Sequence, residues 1–293
     1  MRHQVCQTAR ASRPPGRCPL PRFERTNPVT DHHIGLIVPS SNLTMETELP
    51  RMLTARESIA PEDRFVFHSS RMRMKHVTPD ELRDMNAQTE RAALELADAR
   101  PDVVATACLV AIMAQGPGHH CVAEADITSA LRAEGAHAPV VSSAGALLSG
   151  VEALGARRVA IITPYMRELT AKVVHYLEEA GIEVVDALSL EVPDNLAVAR
   201  LDPADLRTHW RRLNLGRADA LVLSACVQMP SLASIQPVED EAGLPVLSAA
   251  TSTAFRILTE LGLPPVVPGA GRLLGGQVSG PGGSGAEAMA GRS

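Results

Sequence analysis

Residues 101–111 read PDVVATACLVA and residues 218–228 read ADALVLSACVQ. Each is a short aliphatic run closed by one cysteine, and the repetition decides the fold. Apolar runs of this length without polar alternation are strands buried on both faces, as in parallel sheets covered by their crossover helices. Working outward, IGLIVPSS (34–41) matches VAIITPYM (159–166), each a buried strand ended by proline and followed by a helix. PVVSSAGALLSGVEALG (139–155) likewise matches PVLSAATSTAFRILTELG (245–262). The order of these pieces is the same in both halves. The fold class is therefore α/β: two pseudo-symmetric Rossmann-like lobes with parallel sheets, residues 34–155 and 156–276, joined near ALGARR (153–158), with the active site in the cleft between them. Ligands of open parallel sheets bind beyond the carboxyl ends of the strands. Cys108 and Cys226 close equivalent strands and are expected to face each other there.

The helical patterns agree. PDELRDMNAQTERAALELADAR (79–100) sets Leu82, Met85, Thr89, Ala92, Ala93 and Leu96 along one stripe, with Asp80 and Glu81 in the first turn, where the helix dipole favours acids. RELTAKVVHYLEEAGIEVV (167–185) turns Leu169, Val173, Tyr176 and Leu177 inward, and Gly181 stops the helix.

Composition narrows the function. A chain of 293 residues, 45% hydrophobic and 21% charged, buries a large core. A net charge of -5 with 2% aromatic residues argues against a nucleic-acid surface, and no apolar run is long enough for a membrane span. A small-molecule partner is expected. Cys6, Cys18, Cys108, Cys121 and Cys226 are odd in number and scattered, the usage of free thiols in a reducing cytoplasm. Residues 1–33 are rich in Arg and Pro without the apolar core of a secretory leader, and read either as a disordered extension or as the product of a start codon placed too far upstream. Residues 277–293, rich in Gly, Ser and Ala, read as a flexible tail.

A single buried cysteine is usually a small hydrophobe in a core. Here two end equivalent strands after the same small-residue approach, Thr106-Ala107 and Ser224-Ala225. The residues that follow, Leu109 and Val110 in one half and Val227 in the other, offer backbone N–H groups to an anion. Such a turn can bind a carboxylate and lower a thiol pKa from its usual ~8.5. Two opposed thiols suit addition or proton transfer on two sides of one carbon.

Several long segments carry a resemblance: IGLIVPSSNLTMETELP, FHSSRMRMKHVTPDEL, ACLVAIM, SAGALLSGVEALGARRVAIITPYM, EVPDNLAVAR and LSACVQMPS. Together, from Ile34 to about Gly276, the chain resembles the maleate cis-trans isomerases of the aspartate/glutamate racemase superfamily. The resemblance implies a cytoplasmic, cofactor-independent enzyme without a metal, typically a homodimer, that converts maleate to fumarate, usually in nicotinate breakdown. It implies Cys108 as nucleophile, Cys226 as the acid/base thiol, and Asn42, Tyr165 and Asn195 as carboxylate-binding residues. A carbon–carbon double bond cannot rotate until it is made single, and thiolate addition does this. The charge that addition places on the adjacent carboxylate is then stabilised by fixed donors.

Each supporting residue has a plainer role open to it. Asn42 can cap the helix beginning near Thr44, Asn195 can serve a turn after Pro193-Asp194, and Tyr165 can sit at a core boundary. Two positions depart from the family pattern. Thr106 stands where a tyrosine is usual, which enlarges the cleft or removes a donor, and Leu43 stands where a small polar residue is common. GHHCVAE (118–124) gathers His119, His120 and Cys121, but its spacing fits no standard zinc site. SRMRMKH (70–76) alternates Arg71, Arg73 and Lys75 with Met72 and Met74, an edge strand whose basic side can steer a dianion.

Two enzymatic alternatives share the superfamily. An amino-acid racemase would use the same cysteines as opposed acid and base, but usually has Asn-Thr where this chain has Leu109-Val110. An arylmalonate decarboxylase keeps only the second cysteine. A dicarboxylate-binding sensor, outside enzymes, leaves the paired thiols unexplained.

Overall fold

Strand β1 (Thr30–Pro39) opens the first lobe, and in this computed structural model, which describes residues 29–278, it starts ahead of the apolar run beginning at Ile34. Its polar start is carried into the sheet by the parallel ladder to β2 (Asp63–Met72), which pairs Thr30 with Asp63 and His33 with Val66. Side chains reinforce it: Arg64 grips Asp31, and His32 lies 3.2 Å from Asp63. The lobe thus begins at Thr30 rather than Ile34. The disorder expected of residues 1–28 and of the tail from 279 falls outside the described residues, as do Cys6 and Cys18.

The first lobe continues through α1 (Met45–Arg56), β2, α2 (Pro79–Asn86), α3 (Thr89–Ala97), β3 (Val103–Thr106), α4 (Leu109–Met113), α5 (His119–Ala133), β4 (Val140–Ser142) and α6 (Ser143–Ala153). The second runs β5 (Arg158–Thr163), α7 (Arg167–Glu179), β6 (Glu183–Ser189), α8 (Asn195–Ala199), α9 (Leu206–His209), β7 (Ala220–Ser224), α10 (Leu232–Ala242), β8 (Val246–Ser248) and α11 (Ala249–Glu260). Both sheets are parallel and four-stranded, ordered β2-β1-β3-β4 and β6-β5-β7-β8. Each lobe thus repeats one order, the doubly wound arrangement that the sequence repeat predicts. β3 and β7 are buried along their whole length, as runs without polar alternation require. Gly35 is needed for close packing: a Cβ there would meet Val104 at 3.0 Å and Leu96 of α3 at 3.3 Å. Gly181, at φ +82°, ends α7 in left-handed backbone.

The stripe read across 79–100 is real, with Leu82, Met85, Ala92, Ala93 and Leu96 buried, but it belongs to two helices. The break falls at Ala87-Gln88, where the Gln88 amide accepts from the Arg73 N–H at 2.9 Å and donates to the Arg73 carbonyl at 3.3 Å. These bonds tie the helix junction to the segment after β2. The boundary at 155/156 follows the chain path but not the packing. α11 belongs to the second lobe in sequence, yet it lies most extensively against α6 and also touches α1, β3 and β4 of the first. The lobes are locked together through that shared layer, and no helix of the described residues is long and apolar enough to cross a membrane.

Candidate active site

The strand order of each sheet reverses between its first and third strands, and crevices at such switch points hold ligands. In the first lobe β1 runs out into Ser40–Thr44 and β3 into Cys108; in the second β5 runs out into Tyr165 and β7 into Cys226. Equivalent bonds set the offset. The Ala107 N–H donates to the Ile37 carbonyl at 2.9 Å, and the Ala225 N–H to the Ile162 carbonyl at 2.9 Å, one residue before each cysteine.

Both thiols are buried and free. Cys108 has φ 74° and ψ 60°, left-handed backbone that costs a non-glycine residue on the order of 1 kcal/mol, and it caps the short helix α4. Beyond it the N–H groups of Leu109 and Val110 meet no acceptor among the described residues, so both are available to an anion. The thiol pKa values correct the sequence reading. Burial pushes Cys108 up to about 12, opposed by only one donor, the Ala111 N–H. Burial also raises Cys226, against the Tyr165 hydroxyl and the N–H groups of Gln228 and Met229. Desolvation penalises a thiolate more than a few backbone dipoles favour it, so the turns do not lower either value. Tyr165 lies close enough to both sulfurs for their charge to oppose its ionisation; burial first, then these neighbours, hold its pKa well above that of a free phenol. It remains a neutral hydrogen-bond donor.

Asn42 fills its plainer role and leaves a second one open. Its Oδ1 accepts from the Thr44 and Met45 N–H groups, both at 2.9 Å, at the entrance to α1. Accepting twice fixes that atom as oxygen, so the amide NH2 group points the other way and meets no acceptor among the described residues. Asn195 is the first residue of α8, and its Nδ2 donates to Ser41 Oγ at 2.7 Å, across the two lobes. One N–H of that amide is left for a ligand. Val227, buried beside Cys226, completes the set. The structure thus gathers Cys108, Cys226 and Tyr165 directly, and links Asn42 to Asn195 through Ser41.

Two residues that the sequence reading passed over organise this region. Gln228 is 3% exposed, and its amide ties together three segments. Its Oε1 accepts from the Leu43 N–H at 2.9 Å, and its Nε2 donates to the carbonyls of Ser41 and Asn195 at 2.8 Å each. Its carbonyl accepts from Thr44 Oγ1 at 2.6 Å. Glu48 of α1 accepts from the Ser231 and Leu232 N–H groups at 2.7 Å, capping α10 from the opposite lobe. Burial raises the Glu48 pKa against those bonds. Sequence carried a faint signal for both: a polar side chain within an apolar run, and an acid on the stripe of Met45, Leu49, Met52 and Leu53.

The remaining candidates disperse. His120 bonds the Tyr176 hydroxyl at 2.5 Å, Cys121 is exposed, and no metal-holding group of three or more His, Cys, Asp or Glu occurs among the described residues. Met72 and Met74 are buried and Arg71 and Arg73 exposed, but β2 ends at Met72, so only the start of this alternation is edge strand and Arg73, Met74 and Lys75 lie beyond it; Arg71 donates to the Asn42 carbonyl and lies 3.5 Å from Glu46.

Two parallel-sheet lobes with one thiol at each switch point define a class, α/β proteins built around a pair of cleft cysteines. The family model described as arylmalonate decarboxylase matches residues 34–274. Maleate isomerase of Geobacillus stearothermophilus is 57% identical over 244 residues, 83% of this chain and 97% of that protein. The structure of a cysteine-to-alanine variant of maleate isomerase from Pseudomonas putida S16 with maleate aligns with TM-score 0.84 and 52% identity, covering 85% of this chain and 99% of that one. A cysteine-to-serine variant of Nocardia farcinica maleate cis-trans isomerase with a covalently bound succinylcysteine intermediate aligns with TM-score 0.81 and 51% identity, covering 84% and 98%. The chain belongs to the maleate isomerase family.

Proposed function

We propose that this protein isomerises maleate to fumarate by reversible addition of Cys108 to the double bond. The observation that carries the reading is the pair of buried thiols at the two switch points, with a neutral Tyr165 beside both. The maleate-bound and succinylcysteine-bound relatives support the substrate and the covalent step.

The reactive state carries one negative charge on the thiol pair. Three donors face Cys226 and one faces Cys108, so that charge rests on Cys226. As the Cys108 sulfur bonds one olefinic carbon, its proton passes to Cys226, and the electron pair of the double bond moves toward the far carboxylate. The Asn42 amide, the free N–H of Asn195 and the Tyr165 hydroxyl stabilise that developing charge, and the N–H groups of Leu109, Val110 and Val227 hold the other carboxylate. Cys226 then protonates the carbanion, giving succinyl-Cys108 and a Cys226 thiolate. The former double bond is now single and rotates. Cys226 removes a proton from the same carbon, the C–S bond breaks as the trans double bond forms, and the proton returns to Cys108. Work as a cytoplasmic homodimer in nicotinate breakdown extends this reading and rests on the family resemblance alone.

Proton NMR of maleate with reduced wild-type protein tests it. The maleate olefinic signal is replaced by that of fumarate; an unchanged maleate signal over folded, reduced protein overturns the assignment.

A further inference from the structure

A cavity of about 530 Å³ adjoins Cys108, within the roughly 300–1,000 Å³ typical of ligand sites. It opens between α3 and α5 and reaches inward to Thr106, Ala107, Cys108, Ile112 and Ile127. Neither Cys226 nor any of Asn42, Tyr165 and Asn195 lines it, so the donors assigned to the two carboxylates leave it empty. Four-carbon maleate has no atoms to fill it. Resting on the isomerase reading, we propose that this cavity is a subsite for a substituent on the double bond, and that the protein accepts 2-alkyl and 2-aryl maleates as well as maleate.

The walls select the chemistry. The inner end is aliphatic apart from Thr106 and the Cys108 thiol, and Thr106 is small enough to leave the space open. Besides Cys108, the ionisable groups around it are the carboxyl side chains of Glu90 and Asp126 and the imidazole of His119, with no Lys or Arg among them. A neutral apolar group therefore fits, and a third carboxylate is opposed. In the reaction, the Cys108 sulfur bonds the unsubstituted olefinic carbon and Cys226 protonates the substituted one. Cys226 later removes that same proton as the C–S bond breaks, so the atom balance is that of maleate.

The test compares maleate, 2-methylmaleate, 2-butylmaleate and cis-aconitate, a carboxymethyl-substituted maleate, on wild type, Ala130→Phe and Ala133→Phe. Ala130 lies on the cavity wall and Ala133 at its exposed mouth, which keeps one filling variant away from the packed interior. Wild type is expected to turn over both alkyl maleates, with KM falling roughly fourfold per buried methylene, and to leave cis-aconitate unchanged. The variants lose at least about tenfold in kcat/KM for 2-butylmaleate and keep that for maleate. Turnover of maleate with none of 2-methylmaleate or 2-butylmaleate overturns the subsite, as does equal loss of both substrates in both variants. If maleate itself is not turned over, the isomerase reading fails first. Protection of Cys108 from iodoacetamide by 2-butylmaleate then reads the cavity alone: protection in wild type lost in Ala130→Phe supports it, and none in wild type ends it.

Discussion

In the first lobe the cysteine after the third strand sits in left-handed backbone, faces one N–H, and borders a cavity of about 530 Å³. In the second lobe the equivalent cysteine has no such backbone, faces three donors, and begins a loop tied down by Gln228 and capped through Glu48. Strand order and offset are shared, so the duplicated scaffold explains why there are two thiols and where they stand. It does not explain what each one does. The difference in surroundings supports the separate roles proposed for them: a thiol with few partners and adjoining space suits bond formation to carbon, and a thiol held among donors suits holding charge and passing a proton.

Removing either thiol breaks the comparison most severely. Cys108→Ala abolishes turnover, because nothing else is placed to make the double bond single. Cys226→Ala lowers kcat by about 10²–10⁴, the range for a lost acid/base group. Equal residual rates in the two variants would argue that the lobes act alike.

Next in size is Gln228→Leu. It leaves the buried carbonyl of Asn195 without its partner, at about 1–3 kcal/mol, and the half-buried carbonyl of Ser41 and N–H of Leu43 with water as their replacement, at less. The variant is expected to melt several degrees lower and to raise KM for maleate at least about tenfold, since Asn42 and Asn195 lose their common anchor. Iodoacetamide is expected to reach Cys108 and Cys226 faster at a temperature well below melting. Lower melting with unchanged KM and unchanged alkylation would reduce Gln228 to a brace.

The pH response sharpens the account of the thiols. Burial raises both pKa values, so the charged form of the pair is scarce at neutral pH and grows as pH rises. In a pH series, kcat/KM is expected to keep climbing past pH 9; a plateau below pH 8 would contradict it. Stability runs the other way. The unfolded thiols ionise near 9.0, below Cys108 at about 12, so the unfolded chain binds fewer protons in that window and stability falls with pH above about 9.

The smallest effect belongs to Arg71. It is exposed and already engaged by Glu46 and the Asn42 carbonyl, and surface ion pairs are worth about 0–1 kcal/mol. Arg71→Ala should raise KM less than about threefold, with the change fading at high salt and kcat unaltered. A larger change that salt leaves intact would place Arg71 in the site.

The sequence made the lobes legible because burial on both faces writes itself as uninterrupted aliphatic runs, and the repeat of 101–111 at 218–228 fixed the equivalence of the two cysteines. Asn42 was legible in type but not in detail, since one amide both caps α1 and keeps its NH2 group free. Gln228 was hidden because its partner Leu43 lies 185 positions away, and Glu48 because it caps a helix of the other lobe 183 positions on. The raised thiol pKa values are not legible in the local sequence for a related reason. A turn's donors are local, whereas the desolvation that outweighs them comes from both lobes closing over the site. The break in 79–100 depends on the Gln88 bonds to Arg73, which helical periodicity does not register.

Whether the first-lobe thiol bonds carbon and the second moves the proton is read by peptide mass spectrometry after acid quench of Cys226→Ser and Cys108→Ser proteins incubated with maleate. The account predicts a mass increase of one maleic acid on the Cys108 peptide of Cys226→Ser and none on the Cys226 peptide of Cys108→Ser. An adduct on Cys226, with Cys108 unmodified in its partner variant, would contradict it.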